Sequence, residues 1–261
     1  MADVHLTYVT DPACPFSWAA EPALSRLRAA YGNRLRTRYV LGGMAREFTR
    51  PTETMAHVLD AAAQSGMPVD PRVWLEDSPR SSFGASRGVK AAGLQGLDGA
   101  YLRAAREALM CDRRRLDEPE QLAALAATIP GLDAERFAAD VVSTEVEEAF
   151  AADMAFARET RPEHHNASGR LPFPSFLIGD GGVYDDVDGD ALLALAGDEQ
   201  PAPPPAVPDA LALHRRMAAV EIAAVCELGL PAVQAQLWQL RLAGRVREER
   251  ILTGELWSLT T

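Results

Sequence analysis

The chain has three cysteines, Cys14, Cys111 and Cys226, and their spacing forms neither a CxxC pair nor a metal-ligand set. Cys14 differs from the other two in context. It follows the chain-breaking run Asp11-Pro12-Ala13 and precedes Pro15, a residue that helices accept in their first turn. A sulfur at such a junction faces unpaired backbone N–H groups and the positive end of the helix dipole. Those fields favour the thiolate over the thiol, whose ordinary pKa is ~8.5, and it is the thiolate that attacks disulfides. Ser17 stands where a CxxC protein has its second thiol. A hydroxyl can hydrogen-bond the thiolate but cannot attack a mixed disulfide. A Cys14/Ser17 site therefore reads as a monothiol centre that needs an outside thiol, such as glutathione, to release its partner. Cys111 and Cys226 lie within apolar helical runs and read as packing residues.

A second segment, Phe173-Pro174-Ser175-Phe176-Leu177-Ile178, places a proline at the entry of an apolar strand. Proline there forfeits a ladder hydrogen bond, which suits an edge kept open for an incoming chain. The segment resembles the strand entry of thioredoxin-like folds, and that resemblance implies that the Phe173–Pro174 bond is cis and faces Cys14, with the Phe173 backbone free to pair with an extended peptide or glutathione. Pro15, Phe16 and Trp18 are expected to complete the substrate contacts. His164 and His165 read as a surface loop, with proton transfer to Cys14 as the alternative.

The elements that must position these residues follow from the periodicity. Val4 to Val9 alternates as a strand, about Phe16 to Tyr31 has helical spacing, and Arg34 to Leu41 alternates again. Cys14 thus falls at the helix start of a β-α-β unit. From about 45 to 165 the pattern is helical. Leu171 to Ile178 and Val183-Tyr184 flank the turn signal Gly179-Asp180-Gly181-Gly182, and Asp188 to Ala196 closes with a helix. Pro201 to Pro208 reads as a stiff spacer, after which residues 209–261 form a small unit. That unit has helices at Leu211–Met217, Val220–Leu228 and Pro231–Leu242, then a hairpin around Thr253-Gly254, the order of a winged helix. The expected fold is α/β: a thioredoxin-like domain over 1–200 with the helical insertion, a linker at 201–208, and a winged-helix-like unit at 209–261.

A formal net charge of -11 opposes non-specific binding to nucleic acid or to an anionic membrane. The tail itself balances six arginines with six acids, so it lacks the basic footprint of a duplex binder and reads as a protein-contact surface. No apolar run approaches the ~20 residues of a membrane span, and the N-terminus lacks a secretory signal, so a reducing cytosol is the expected compartment.

Asp11-Pro-Ala-Cys-Pro-Phe-Ser-Trp18 and Leu171-Pro-Phe-Pro-Ser-Phe-Leu-Ile178 resemble the DsbA/FrnE family of thioredoxin-like dithiol-disulfide isomerase-like proteins. Cys14 through Pro22, Val73-Trp-Leu-Glu76, Ser81-Ser82, Lys90 through Gly96 and Gly254-Glu-Leu-Trp257 are further similar to one group within it, the adapters that hand a transcription factor to the ClpXP protease. The resemblance implies a DsbA-type fold and partners that are protein thiols or extended peptides, with glutathione as a co-substrate and no tightly bound cofactor. Monothiol disulfide exchange through Cys14 is the leading expectation and a non-catalytic protease adapter the alternative. A kappa-class glutathione transferase or isomerase is a weaker resemblance, since those relatives carry serine where this chain has Cys14.

Overall fold

The structure, a computed structural model, describes residues 3–179, 182–185, 189–196 and 199–260. The first half is a β-α-β unit: β1 (Val4–Thr10), α1 (Pro15–Ala19), α2 (Glu21–Tyr31) and β2 (Leu35–Leu41). The single helix expected from Phe16 to Tyr31 is two helices, broken at Ala20. Pro22 explains the break, because its ring cannot donate to a preceding turn and forces a fresh start at Glu21.

Seven helices follow, α3 (Pro51–Ser65), α4 (Val73–Glu76), α5 (Phe83–Gly93), α6 (Asp98–Met110), α7 (Pro119–Ala126), α8 (Ala134–Asp140) and α9 (Thr144–Glu159). The chain then returns as β3 (Ser175–Ile178), β4 (Gly182–Tyr184) and α10 (Gly189–Leu195). The sheet order is β2-β1-β3-β4, with β1 parallel to β2 and antiparallel to β3. A parallel pair needs a crossover, which α1 and α2 supply, whereas β3 and β4 pair antiparallel. Residues 180 and 181 of the expected turn, and Asp188, lie outside the described residues.

The main core packs α2, α5, α6 and α7 against one sheet face, with Tyr8 stacked on Phe176 at 4.8 Å between centroids. This is the thioredoxin-like fold of DsbA type, with the helical insertion set between the β-α-β and β-β-α halves.

The tail contains α11 (Val207–Ala210), β5 (Met217–Ala218), α12 (Ala219–Cys226), α13 (Leu230–Leu242), β6 (Val246–Ile251) and β7 (Gly254–Leu259). Its sheet order is β5-β7-β6. The helix expected at Leu211–Met217 is absent; the helical turn comes earlier, where Pro208 occupies the first turn, and Met217 joins the sheet. Leu-Ala-Leu-His-Arg-Arg-Met mimics helical spacing, but Arg216 turns inward to an ion pair with Glu107 and Met217 pairs with Trp257.

The tail does not stand apart. Ala218, Ile251 and Leu256 share a buried cluster with Trp18, Trp74 and Met110. The spacer is tied down as well: Ala202 N–H donates to the Ala30 carbonyl at 2.8 Å, and Val207 is buried.

Candidate functional site

Cys14 caps α1, with Pro15 in the first helical turn. The Phe173–Pro174 peptide is cis. These two segments meet: the Cys14 thiol donates to the Phe173 carbonyl oxygen at 3.5 Å. Register accounts for the meeting, because Val9 of β1 pairs with Ser175 of β3, so the loops at those strand ends face each other.

Two glycines bring the β2 end into the same place. A Cβ on Gly42 would lie 2.2 Å from the Phe173 ring, and Gly43 has φ +64° with Met154 and Phe83 against it. Only glycine permits that approach and that backbone.

Cys14 is 4 % exposed. The lowered thiol pKa expected at a helix start is not what its surroundings favour. Burial is the largest influence and pushes the thiol up; hydrogen bonds from Ser17 act the other way, and the neighbouring Asp11 carboxylate adds to the rise. Five residues of helix supply little dipole, and desolvation of an anion outweighs it.

Ser17 is fully buried beside the sulfur, and its hydroxyl accepts from Thr10 Oγ1 at 2.8 Å. With that acceptor filled, its own proton is left for Cys14. Arg106 in turn donates to Thr10 Oγ1 at 2.5 Å and to Tyr8 OH at 3.0 Å.

Sequence reasoning missed where this polar chain leads. Arg106 pairs with Glu21, Glu21 with Arg103 at 3.2 Å, and Arg103 with Glu221 of α12 at 2.6 Å. Burial opposes ionisation of Glu21, yet Arg28, Arg106 and Arg103 hold its carboxyl well below the usual range. Glu21, His214 and Glu221 gather their ligand atoms closely enough to suggest a cation site, but the guanidiniums already neutralise both acids. The cluster therefore ties the tail to the site.

Trp18, expected as a substrate contact, is packed in the core instead. It is 1 % exposed, donates from Nε1 to the Pro68 carbonyl at 3.0 Å and lies under the Arg103 guanidinium. It belongs to the buried cluster that joins the insertion and the tail. Phe16 is exposed beside the site, facing His57, and lines with Pro22, Gln64 and Pro174 a cavity of about 550 Å³. His164 is exposed, and His165 bonds the Thr160 carbonyl at 2.9 Å. Cys111 ends α6 with its thiol on the Pro68 carbonyl at 3.2 Å, while Cys226 is buried in the tail core.

A thioredoxin family model matches residues 7–165, more than half of the chain. The chain belongs to the thioredoxin family. Within it, the ClpXP adapter protein SpxH of Bacillus subtilis is 29% identical over 96% of this chain and 88% of its own length. The SpxH of Halalkalibacterium halodurans is 27% identical over 95% of this chain and 86% of its own length. Among solved structures, the cytosolic disulfide reductase DsbM from Pseudomonas aeruginosa, with GSH, superposes at a TM-score of 0.56 and 25% identity, covering 74% of this chain and 93% of that one. A Nitrosomonas europaea protein superposes at 0.60 with 19% identity over 74% of this chain and 95% of its own, which shows the shared fold alone. No single helix among the described residues is long and apolar enough to cross a membrane.

Proposed function

We propose that this protein is a cytosolic docking adapter of the protease-adapter type, in which the thioredoxin-like site holds an extended segment of a partner and Cys14 is a guarded thiol. The observation that carries this reading is the state of Cys14: buried, raised in pKa and bonded to the Phe173 carbonyl, with a serine in place of a resolving thiol. A thiol held protonated is a poor nucleophile at neutral pH. The extent of similarity supports the same reading, since the SpxH relatives match through the tail whereas DsbM covers only 74% of this chain.

The tail, a winged-helix-like unit with balanced charge, supplies a second protein-contact surface in this proposal. Two of its six arginines are held in close ion pairs, Arg216 with Glu107, Asp112 and Glu249 and Arg241 with Glu248, and six acids balance the six arginines, which argues against a phosphate backbone as the partner.

The direct test is capture of purified ClpX by the immobilised protein and by Cys14→Ser. Equal capture supports the adapter reading. No capture by either protein, or capture only by wild type, ends it.

Monothiol exchange is the second reading, favoured by the juxtaposition of Cys14 and the Phe173 carbonyl and by the GSH of the DsbM structure. In it a Cys14 thiolate attacks a disulfide, one partner sulfur leaves as thiolate, and glutathione then attacks the mixed disulfide to restore Cys14. Intact-mass measurement after exposure to oxidised glutathione tests it: an adduct of one glutathione on wild type and none on Cys14→Ala supports exchange.

A further inference from the structure

A cavity of about 390 Å³ is lined by Arg170, which stacks on the Phe173 ring beside Pro174. Its charged lining is Arg46, Arg158 and Arg170, with no acid among the lining residues. In a chain of net charge -11 this is a local inversion of sign.

Each guanidinium is held by something other than a carboxylate. Arg46 stands over the Phe83 ring at 5.8 Å, Arg158 donates to the Met154 carbonyl at 3.0 Å, and Arg170 reaches the Met44 carbonyl at 3.4 Å. Among the described residues none of the three has a carboxylate within 4 Å. Arg170 is 8 % exposed and stacks on the Phe173 ring at 4.1 Å, so a buried cation sits on the residue whose carbonyl holds Cys14. The Asp11 carboxylate acts on it from a distance, but its oxygens are taken by Ala13 N, Met44 N and Ser82 Oγ. Burial lowers the Arg170 pKa and Arg158 repels it further. Burying a cation without an ion-pair partner is costly, and a bound anion between two guanidiniums removes that cost.

The geometry points to a carboxylate-binding subsite at Arg46, Arg158 and Arg170 that receives an acidic group of the peptide ligand lying along the Phe173–Pro174 edge. An extended chain crossing that edge projects its side chains alternately to its two faces, which lets one side chain turn toward the arginines. Guanidinium forks match carboxylates in two-point contact. The subsite selects ligands with an acid near the segment that meets Cys14. It rests on the docking reading for the position of the ligand but needs no reaction at the sulfur.

Two thiol-blocked pairs of probes test it by isothermal titration calorimetry. One pair is S-methylglutathione and its diethyl ester. The other is a blocked pentapeptide with S-methylcysteine next to glutamate, and its glutamine counterpart. Wild type and Cys14→Ser are expected to bind at least one acidic probe tenfold or more tightly than its neutral partner, and the pair that responds identifies glutathione or a peptide as the source. The Arg46→Gln/Arg158→Gln double variant, changed only at exposed side chains, is expected to lose that preference, while Arg170→Gln adds a probe of the buried position. Equal affinity for acid and neutral probes, binding of none, or an unchanged preference in the double variant overturns the subsite. Because every probe lacks a free thiol, failure here is separate from failure of ClpX capture.

Discussion

Cys14 and Phe173 are 159 positions apart in sequence, yet the Cys14 sulfur donates to the Phe173 carbonyl at 3.5 Å. The acceptor is satisfied by a neutral thiol and repelled by a thiolate, so this contact and the burial of the sulfur act in one direction. Alkylation of Cys14 by iodoacetamide at pH 7 is therefore expected to run severalfold slower than that of free glutathione, and to accelerate on moving to alkaline pH. Mass spectrometry of time points, with Cys14→Ser as blank, measures it.

Ser17 works against that tendency through its hydrogen bond to the sulfur. Ser17→Ala removes the bond and leaves the Thr10 hydroxyl without its acceptor at 2.8 Å. The thiol titration is expected to move to still higher pH, and chemical denaturation to show a loss of about 1–2 kcal/mol.

The tail is held by buried charge. Glu221→Gln takes one partner from Arg103 and leaves a buried guanidinium undercompensated, a change expected to cost about 3–5 kcal/mol by chemical denaturation. Limited proteolysis is then expected to cut within the segment 201–216 faster than in wild type.

Acid should loosen the same joint. The arginines around Glu21 depress its pKa, so its contribution is complete above the ordinary value of 4.5 and is lost as pH falls below that value toward the folded-state one. Tryptophan fluorescence of a Trp238→Phe/Trp257→Phe background, which leaves Trp18 and Trp74 of the shared cluster as the emitters, is expected to change in that acid range before the secondary structure melts.

Gly42→Ala tests how the site is built. Its new methyl would meet the Phe173 ring, which must swing from beneath Arg170. The expected result is a fold destabilised by about 1–3 kcal/mol, the cost of overpacking, and weaker binding of acidic probes.

Much of this molecule is visible in local sequence, and the reasons are physical. Cys14-Pro15 and Phe173-Pro174 carry backbone instructions in the residues themselves, and strand and helix periods mark β1, β2 and most of the insertion. Properties set by distant neighbours are not visible there. The insertion and the Phe173 loop bury Cys14, and a dipole argument made from residues 11–18 alone gives the wrong direction for its pKa. Trp18 looks like a site residue by adjacency, but its contacts come from Pro68 and Arg103. The link from Glu21 through Arg103 to Glu221 joins α2, α6 and α12, and no local pattern announces it. Arg170 sits four residues before Pro174 in a loop, and only the fold sets it on the Phe173 ring.

Cys14 is held as a neutral thiol in its resting site. Thiolate absorbance at 240 nm, recorded against pH for wild type minus Cys14→Ser, measures that state without a partner or a substrate. A midpoint above the ordinary thiol value of ~8.5 is the expected result. A midpoint below neutrality would contradict the guarded-thiol reading and restore Cys14 as an active nucleophile.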